Sequence, residues 1–179
     1  MPELKPKQEA KSMPSMIYKT YQVETKAINQ ESGEVDIFIP LSKDTIDRDG
    51  EIILPSAIQK RIKTFQGRPI LVSSHDYYSL QNQIGEFSQI KIDDKGFYGK
   101  PKYYIGKGNA EADWGFFLAS IGMASYSIGF MPFDSQPGKG EIKRIWTDVE
   151  LLEVSHVIVP SNRDAAQSMR DALAIKSVQ

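Results

Sequence analysis

Apolar positions along the 179-residue chain recur with two periods, one suited to strands and one to helices. Residues 1–16 show neither, holding three prolines and Lys5, Lys7 and Lys11 without an apolar repeat, so a loose tail is expected there, followed by a single domain over 17–179. The stretch 17–28, rich in Tyr, Val and Thr, reads as a strand, and turn chemistry at 30–33 leads into Val35, Ile37 and Ile39 alternating with Asp36 and Phe38, which predicts a hairpin. Pro55 and Ser56 open a helical pattern with Ile58, Ile62 and Phe65 at i, i+4 and i+7, closed by Gly67 and Pro69. Strand signals follow at 70–73, 84–92 and 97–104. A second helix is expected behind an N-cap at Asn109, with Ala110, Trp114, Phe117, Leu118 and Ile121 as its core-facing stripe and Gly122 as its stop. Strands at 123–131 and 142–159, the second weakest near Thr147, precede a C-terminal helix capped by Ser161 or Asn162 and carrying Ala165, Met169 and Leu173. Strands that do not alternate regularly with the three helices predict a mainly β (α+β) domain whose antiparallel sheet closes or folds over on itself.

Composition narrows the function. With 40% hydrophobic and 25% charged residues the chain is expected to bury a core, and neither a leader peptide nor a bilayer-length apolar run is expected. Its 22 basic and 23 acidic side chains leave a net charge of −1, which gives no broad attraction to nucleic acid or to a membrane surface. The absence of cysteine removes disulfides, thiolate metal sites and cysteine nucleophiles, and no metal or cofactor is expected. Any histidine-dependent proton transfer must use His75 or His156, the two in the chain.

Three segments can carry chemistry. In MASYSIGF (123–130), read as a strand, Ala124, Tyr126, Ile128 and Phe130 form an apolar face, and Ser125, Ser127 and Gly129 a face of small residues that a substrate backbone can approach. A serine there suits a nucleophile, and the pattern equally describes a strand packed under a loop. His75, in ILVSSHDY (70–77), stands just past an apolar strand, where a general base is held yet reaches solvent. In 149–159, strand alternation places Glu153 in a row with Val149, Leu151, Ser155, Val157 and Val159, and His156 on the other face with Glu150, Leu152, Val154 and Ile158. A carboxylate in an apolar row calls for a cation or several donors, and either an imidazolium or a plain ion pair meets that need. The acidic stretch DTIDRDGE (44–51) lacks full calcium-loop spacing and reads as a solvated turn, with Asp47 or Asp49 as alternative orienting acids. Arg163, in PSNRD near the expected C-terminal helix, is a candidate for holding an anionic intermediate or the substrate backbone.

In this order, DTIDRDGEIILPSAI, SHDY followed by IGEF, YSIGF and LLEVSHVIVPSNRDA resemble the caudoviral prohead serine proteases, related in fold to the herpesvirus assembly proteases, over residues 44–165. The resemblance implies Ser127 as nucleophile and His75 as general base. For the third member, which in related viral enzymes is an acid or a second histidine, Glu153 fits best, with His156 and the acids of 44–49 as alternatives. It further implies a closed antiparallel β-barrel surrounded by a few helices, action inside the assembling prohead in the host cytoplasm, the major capsid precursor and scaffold protein as substrates, self-cleavage, and a homodimer. A non-catalytic barrel that binds capsid or scaffold protein through exposed aromatics such as Tyr77 and Tyr78 is the main competing account, ahead of a carboxylate-based hydrolase built on the acidic stretch.

Overall fold

The computed structural model describes residues 28–167. Their elements run β1 (Ile28–Asn29), β2 (Glu34–Val35), β3 (Ile39–Lys43), β4 (Glu51–Ile53), α1 (Pro55–Gly67), β5 (Ile70–Ser73), β6 (Gln83–Asp93), β7 (Gly96–Tyr103), α2 (Ala110–Ser120), β8 (Ser125–Pro137) and β9 (Arg144–Val157), with a 3₁₀ turn at Leu80–Asn82. The predicted tail and most of the first predicted strand lie outside the described residues. The hairpin turn is held by Asn29, whose Oδ1 accepts from the backbone N–H groups of Glu31 and Ser32, both at 3.0 Å. Its partner strand ends at Val35, and the expected continuation through Ile39 restarts as β3.

Helix α1 forms as its spacing predicts, with Ile58, Ile62 and Phe65 buried and non-helical backbone at Arg61. Phe65 meets Phe97 edge-on at 6.0 Å and Phe87 at 6.4 Å, which ties the helix to β6 and β7. Helix α2 is capped by Asn109 as expected, but its buried face is Ala112, Gly115, Phe116 and Ala119. Trp114 is 62% exposed and Phe117 46%, so the predicted core-facing stripe is corrected. The cause is a narrow gap: a Cβ on Gly115 would stand 2.9 Å from Tyr103 Cε1, so only small residues let the helix settle on the sheet there.

One nine-stranded sheet follows the path β1-β2-β7-β6-β5-β9-β4, with β3 on β7 and β8 on β9. Strand β9 organises it. Its whole length pairs antiparallel with β8, while its other edge takes β4 in parallel at residues 144–146 and β5 in parallel at 154–156. Helix α1 is the crossover between those two parallel partners. The predicted antiparallel closed barrel is therefore corrected to a mixed sheet that its hydrogen bonds leave open: β3 comes within 8 Å of β8 between Cα atoms, yet no ladder joins them. Strand β8 runs past the predicted end to Pro137 and β9 passes Thr147 unbroken, the ribbon being fastened by Arg61, which bonds Asp148 at 2.7 and 3.1 Å and covers the Phe133 ring at 3.7 Å. Residues 161–167 form turns, so the expected cap at Ser161 or Asn162 starts no helix within them, and Met169 and Leu173 lie outside the described residues.

The helix register is directly testable. Phe116→Ala is expected to lower unfolding free energy in urea by about 3–5 kcal/mol, whereas Phe117→Ala next to it changes it by less than about 1 kcal/mol.

Candidate active site

The site starts from an irregularity in β9. Gly129 of β8 lies opposite Glu153, but the next residue, Phe130, lies opposite Leu151, so Leu152 has no partner and the register shifts by one. Alternation is thereby reversed. Val149, Leu151 and Val154 all join the hydrophobic core with Tyr126, while Glu153 and Ser155 turn to the opposite face, where Gly129 and Ser127 are their cross-strand partners. Glu153 is thus not in the apolar row that simple parity assigns to it.

Beyond β5 the chain turns sharply, with Ser74 at φ 53° and His75 at φ 57°. Two successive non-glycine residues in the left-handed region cost on the order of 1–2 kcal/mol each, and hydrogen bonds hold them there: Ser74 N–H donates to His156 O at 3.0 Å, Asp76 N–H to Ser73 O at 3.0 Å, and His75 N–H to Ser155 Oγ at 2.9 Å. The turn lays the imidazole over β9, where Nδ1 meets Glu153 Oε1 at 2.7 Å.

Glu153 is only 2% exposed and accepts from three groups. His75 Nδ1–H and the Tyr77 hydroxyl, at 3.1 Å, share Oε1, and Ser155 Oγ donates to Oε2 at 2.7 Å. Gly129 makes the space, because a Cβ there would overlap Oε1 and stand 3.0 Å from the Tyr77 hydroxyl. The hydrogen bond to Glu153, reinforced by its charge and opposed by desolvation, raises the His75 pKa above the ordinary 6.5. Burial of its hydroxyl end, together with the same carboxylate, pushes Tyr77 up to about 12, so it remains a donor at neutral pH.

Ser127 lies half-buried on β8, directly opposite Ser155, so it stands on the face that carries Glu153. It lines a cavity of about 180 Å³ between β3 and β8, shared with Ser42, Asp49, Ser161 and Asn162. The imidazole of His75 is 36% exposed and Ser127 Oγ is not hydrogen-bonded to it. Arg163 is exposed on the turn that follows Asn162, itself anchored by Nδ2–H to Lys43 O at 2.8 Å.

None of the alternatives for an orienting group bonds His75, although Asp47 and Asp49 line the Ser127 cavity. His156 is 8% exposed on the core side, with Nδ1 2.9 Å from the Tyr103 hydroxyl, and burial lowers its pKa to about 4. Asp47 folds its own turn, its Oδ1 accepting from Asp49 N–H at 2.9 Å and Glu51 N–H at 2.8 Å, and Asp49 accepts from Ser161 Oγ at 3.0 Å. The sequence places Ser155 in the row of Glu153 and Gly129 on the small-residue face without a role toward the carboxylate for either, and Tyr77, exposed as the competing account expects, also donates to Glu153. The doubled Leu151–Leu152, which interrupts the alternation before Glu153, was the available signal of the bulge.

A histidine tied through Nδ1 to a buried carboxylate, with a serine on the adjoining strand of the same face but not bonded to it, supplies the types of group that serine hydrolysis uses. Residues 20–177 match the family model described as caudovirus prohead serine protease. The chain belongs to that family of tailed-phage proteases, and the resemblance read from its motifs is the same one. No curated protein and no solved structure matches the chain.

NMR titration of the two ring C–H signals tests the electrostatics. His75 is expected to titrate above 6.5 and His156 to stay neutral down to about pH 4. Gly129→Ala, by displacing the carboxylate, is expected to bring His75 back toward 6.5. The raised pKa also means that the pair stabilises the fold fully below pH 6.5, a contribution lost as pH rises through the folded value.

Proposed function

We propose that this protein is the maturation endopeptidase of a phage prohead and cleaves through an acyl-enzyme on Ser127. The reading rests above all on the 2.7 Å contact of His75 Nδ1 with buried Glu153, which leaves Nε2 as the nitrogen able to take a proton. His75 removes the Ser127 proton as Oγ attacks a peptide carbonyl, then passes it to the leaving amine, and water completes the cycle. Glu153 fixes the tautomer and offsets the imidazolium charge. A backbone N–H at or near Arg163, on the turn beside the Ser127 cavity, receives the oxyanion. The edge of β8 supports the reading: Tyr126 N–H donates to Ala165 O and Gln167 N–H to Ala124 O, so residues 165–167 occupy that edge just short of Ser127, and the open cavity begins there.

The substrates in this reading are the major capsid precursor, the scaffold protein and the protease itself, with action inside the prohead in the host cytoplasm and a homodimer as the working form. No described helix is long and apolar enough to cross a membrane. The binding-factor account keeps both aromatics, since Tyr78 is fully exposed and Tyr77 is 66% exposed although its hydroxyl is bonded to Glu153.

Ser127→Ala is expected to abolish processing of a co-expressed capsid or scaffold precursor without changing the melting temperature, and a fluorophosphonate reagent to label the wild type at Ser127. A folded wild-type protein that processes nothing and takes no label would mean a binding factor. Glu153→Gln is expected to lower kcat/KM by about 10³–10⁴. Activity of the wild type should fall as pH drops through a value above 6.5, and any residual activity of Glu153→Gln should show that acid limb at lower pH.

A further inference from the structure

Behind the turn that carries His75 lies a second cavity, of about 530 Å³, between α2 and the ends of β5 and β9. One wall is apolar, formed by Trp114 and Leu118 of α2, and Asp76 and Glu111 supply carboxylates. Among the described residues no Lys or Arg lines it. Glu111 Oε2 accepts from Ser73 Oγ at 2.8 Å and Asp76 Oδ1 from Tyr78 N–H at 2.9 Å, and among the described residues neither carboxylate is paired with a cation.

His156 supplies an independent sign of a ligand. Its Nδ1 meets the Tyr103 hydroxyl at 2.9 Å, and that oxygen meets the Tyr126 hydroxyl at 3.0 Å. Both tyrosines are buried, so each hydroxyl proton needs an acceptor. One direction satisfies them all: Tyr126 donates to Tyr103, Tyr103 donates to Nδ1, and the imidazole proton resides on Nε2. Run the other way, the chain strands the Tyr126 proton. The Nε2–H is therefore a fixed donor on a side chain more than nine-tenths buried that lines the cavity, and no described group accepts from it.

We propose that this cavity is a substrate subsite for a lysine or arginine side chain, a deepening of the protease reading on which it rests. The apolar stem lies along Trp114 and Leu118, the cation sits between Asp76 and Glu111, and a main-chain carbonyl of the same peptide accepts from His156 Nε2–H. The path of the peptide rounds the end of the sheet, because His156 faces the core beside Tyr126 while Ser127 shares the face of Glu153. Val157 lines the cavity and pairs with Ser125, two residues from Ser127 or about 7 Å along the strand, and Ser74 and Asp76 reach the cavity from either side of His75.

Cleavage of a heat-denatured proteome, with new N-termini read by mass spectrometry and the Ser127→Ala protein as blank, tests the assignment. Lysine and arginine are expected to be enriched about fivefold at one position two to four residues from the cut. The folded Glu111→Lys protein should lose that preference, with Glu111→Gln intermediate. Ser127-dependent cleavage without a basic preference, or with one that Glu111→Lys leaves intact, overturns the subsite alone. Absence of cleavage overturns the protease reading, and the subsite is then judged without turnover. The pentapeptide acetyl-Ala-Ala-Lys-Ala-Ala-amide should shift the Trp114 indole N–H signal of the Ser127→Ala protein, whereas its glutamate counterpart should not. Equal responses, or none, overturn the subsite.

Discussion

A carboxylate withdrawn from water must be met by donors or it will not stay ionised, and around Glu153 that requirement explains one local departure after another. Oε1 and Oε2 receive three hydrogen bonds from His75, Tyr77 and Ser155. For the carboxylate to be there, β9 must reverse its alternation at Leu152, Gly129 must carry no side chain, and the chain after β5 must turn through the left-handed region twice. Each is locally unfavourable. Ser155 binds them together, since its hydroxyl donates to Glu153 and accepts from the backbone of His75, fixing carboxylate and imidazole in one geometry.

The same strand shows how environment sets proton affinity. His75 and His156 both reach β9 territory, but one is held against a charge and the other against two phenols in the core. Attraction exceeds desolvation for the first, so its pKa rises, and desolvation exceeds the field of Glu111 for the second, so its pKa falls to about 4. An imidazole that changes charge with little penalty can exchange protons at neutral pH. One that stays neutral can only present a fixed hydrogen bond, which is the role His156 has in the Tyr103–Tyr126 chain.

Legibility in the sequence followed the physics of each element. Helix α1 was readable because Ile58, Ile62 and Phe65 have no rival face, and β5 because 70–73 is a short apolar run between breakers. The buried face of α2 was not, because aromatic and aliphatic residues lie on both sides and the decision was made by the gap over Tyr103, a tertiary fact. The convergence of Glu153 with His75 was expected, although for a reason the structure replaces: parity put the carboxylate in an apolar row, and a one-residue bulge takes it out. Ser155 and Gly129 acquire meaning only from cross-strand register, which a single sequence does not contain.

The correction of the barrel bears on how the site is assembled. Had β5 run antiparallel to β9 over the same residues, its C-terminal end would lie beside Val154 and the turn after it would leave from the opposite end of the pairing. The parallel pairing, Leu71 with Val154 and Ser73 with His156, delivers the end of β5 to the stretch of β9 that has just passed its bulge. Helix α1 joins β4 to β5, the two strands that run parallel to β9, and is seated by Phe65 on Phe87 and Phe97. The aromatic anchoring of α1 therefore reaches the His75 turn through β5, while the missing ladder between β3 and β8 leaves a cavity beside Ser127 that a closed barrel would have filled. Openness on one side and a parallel strand on the other are two consequences of one topology.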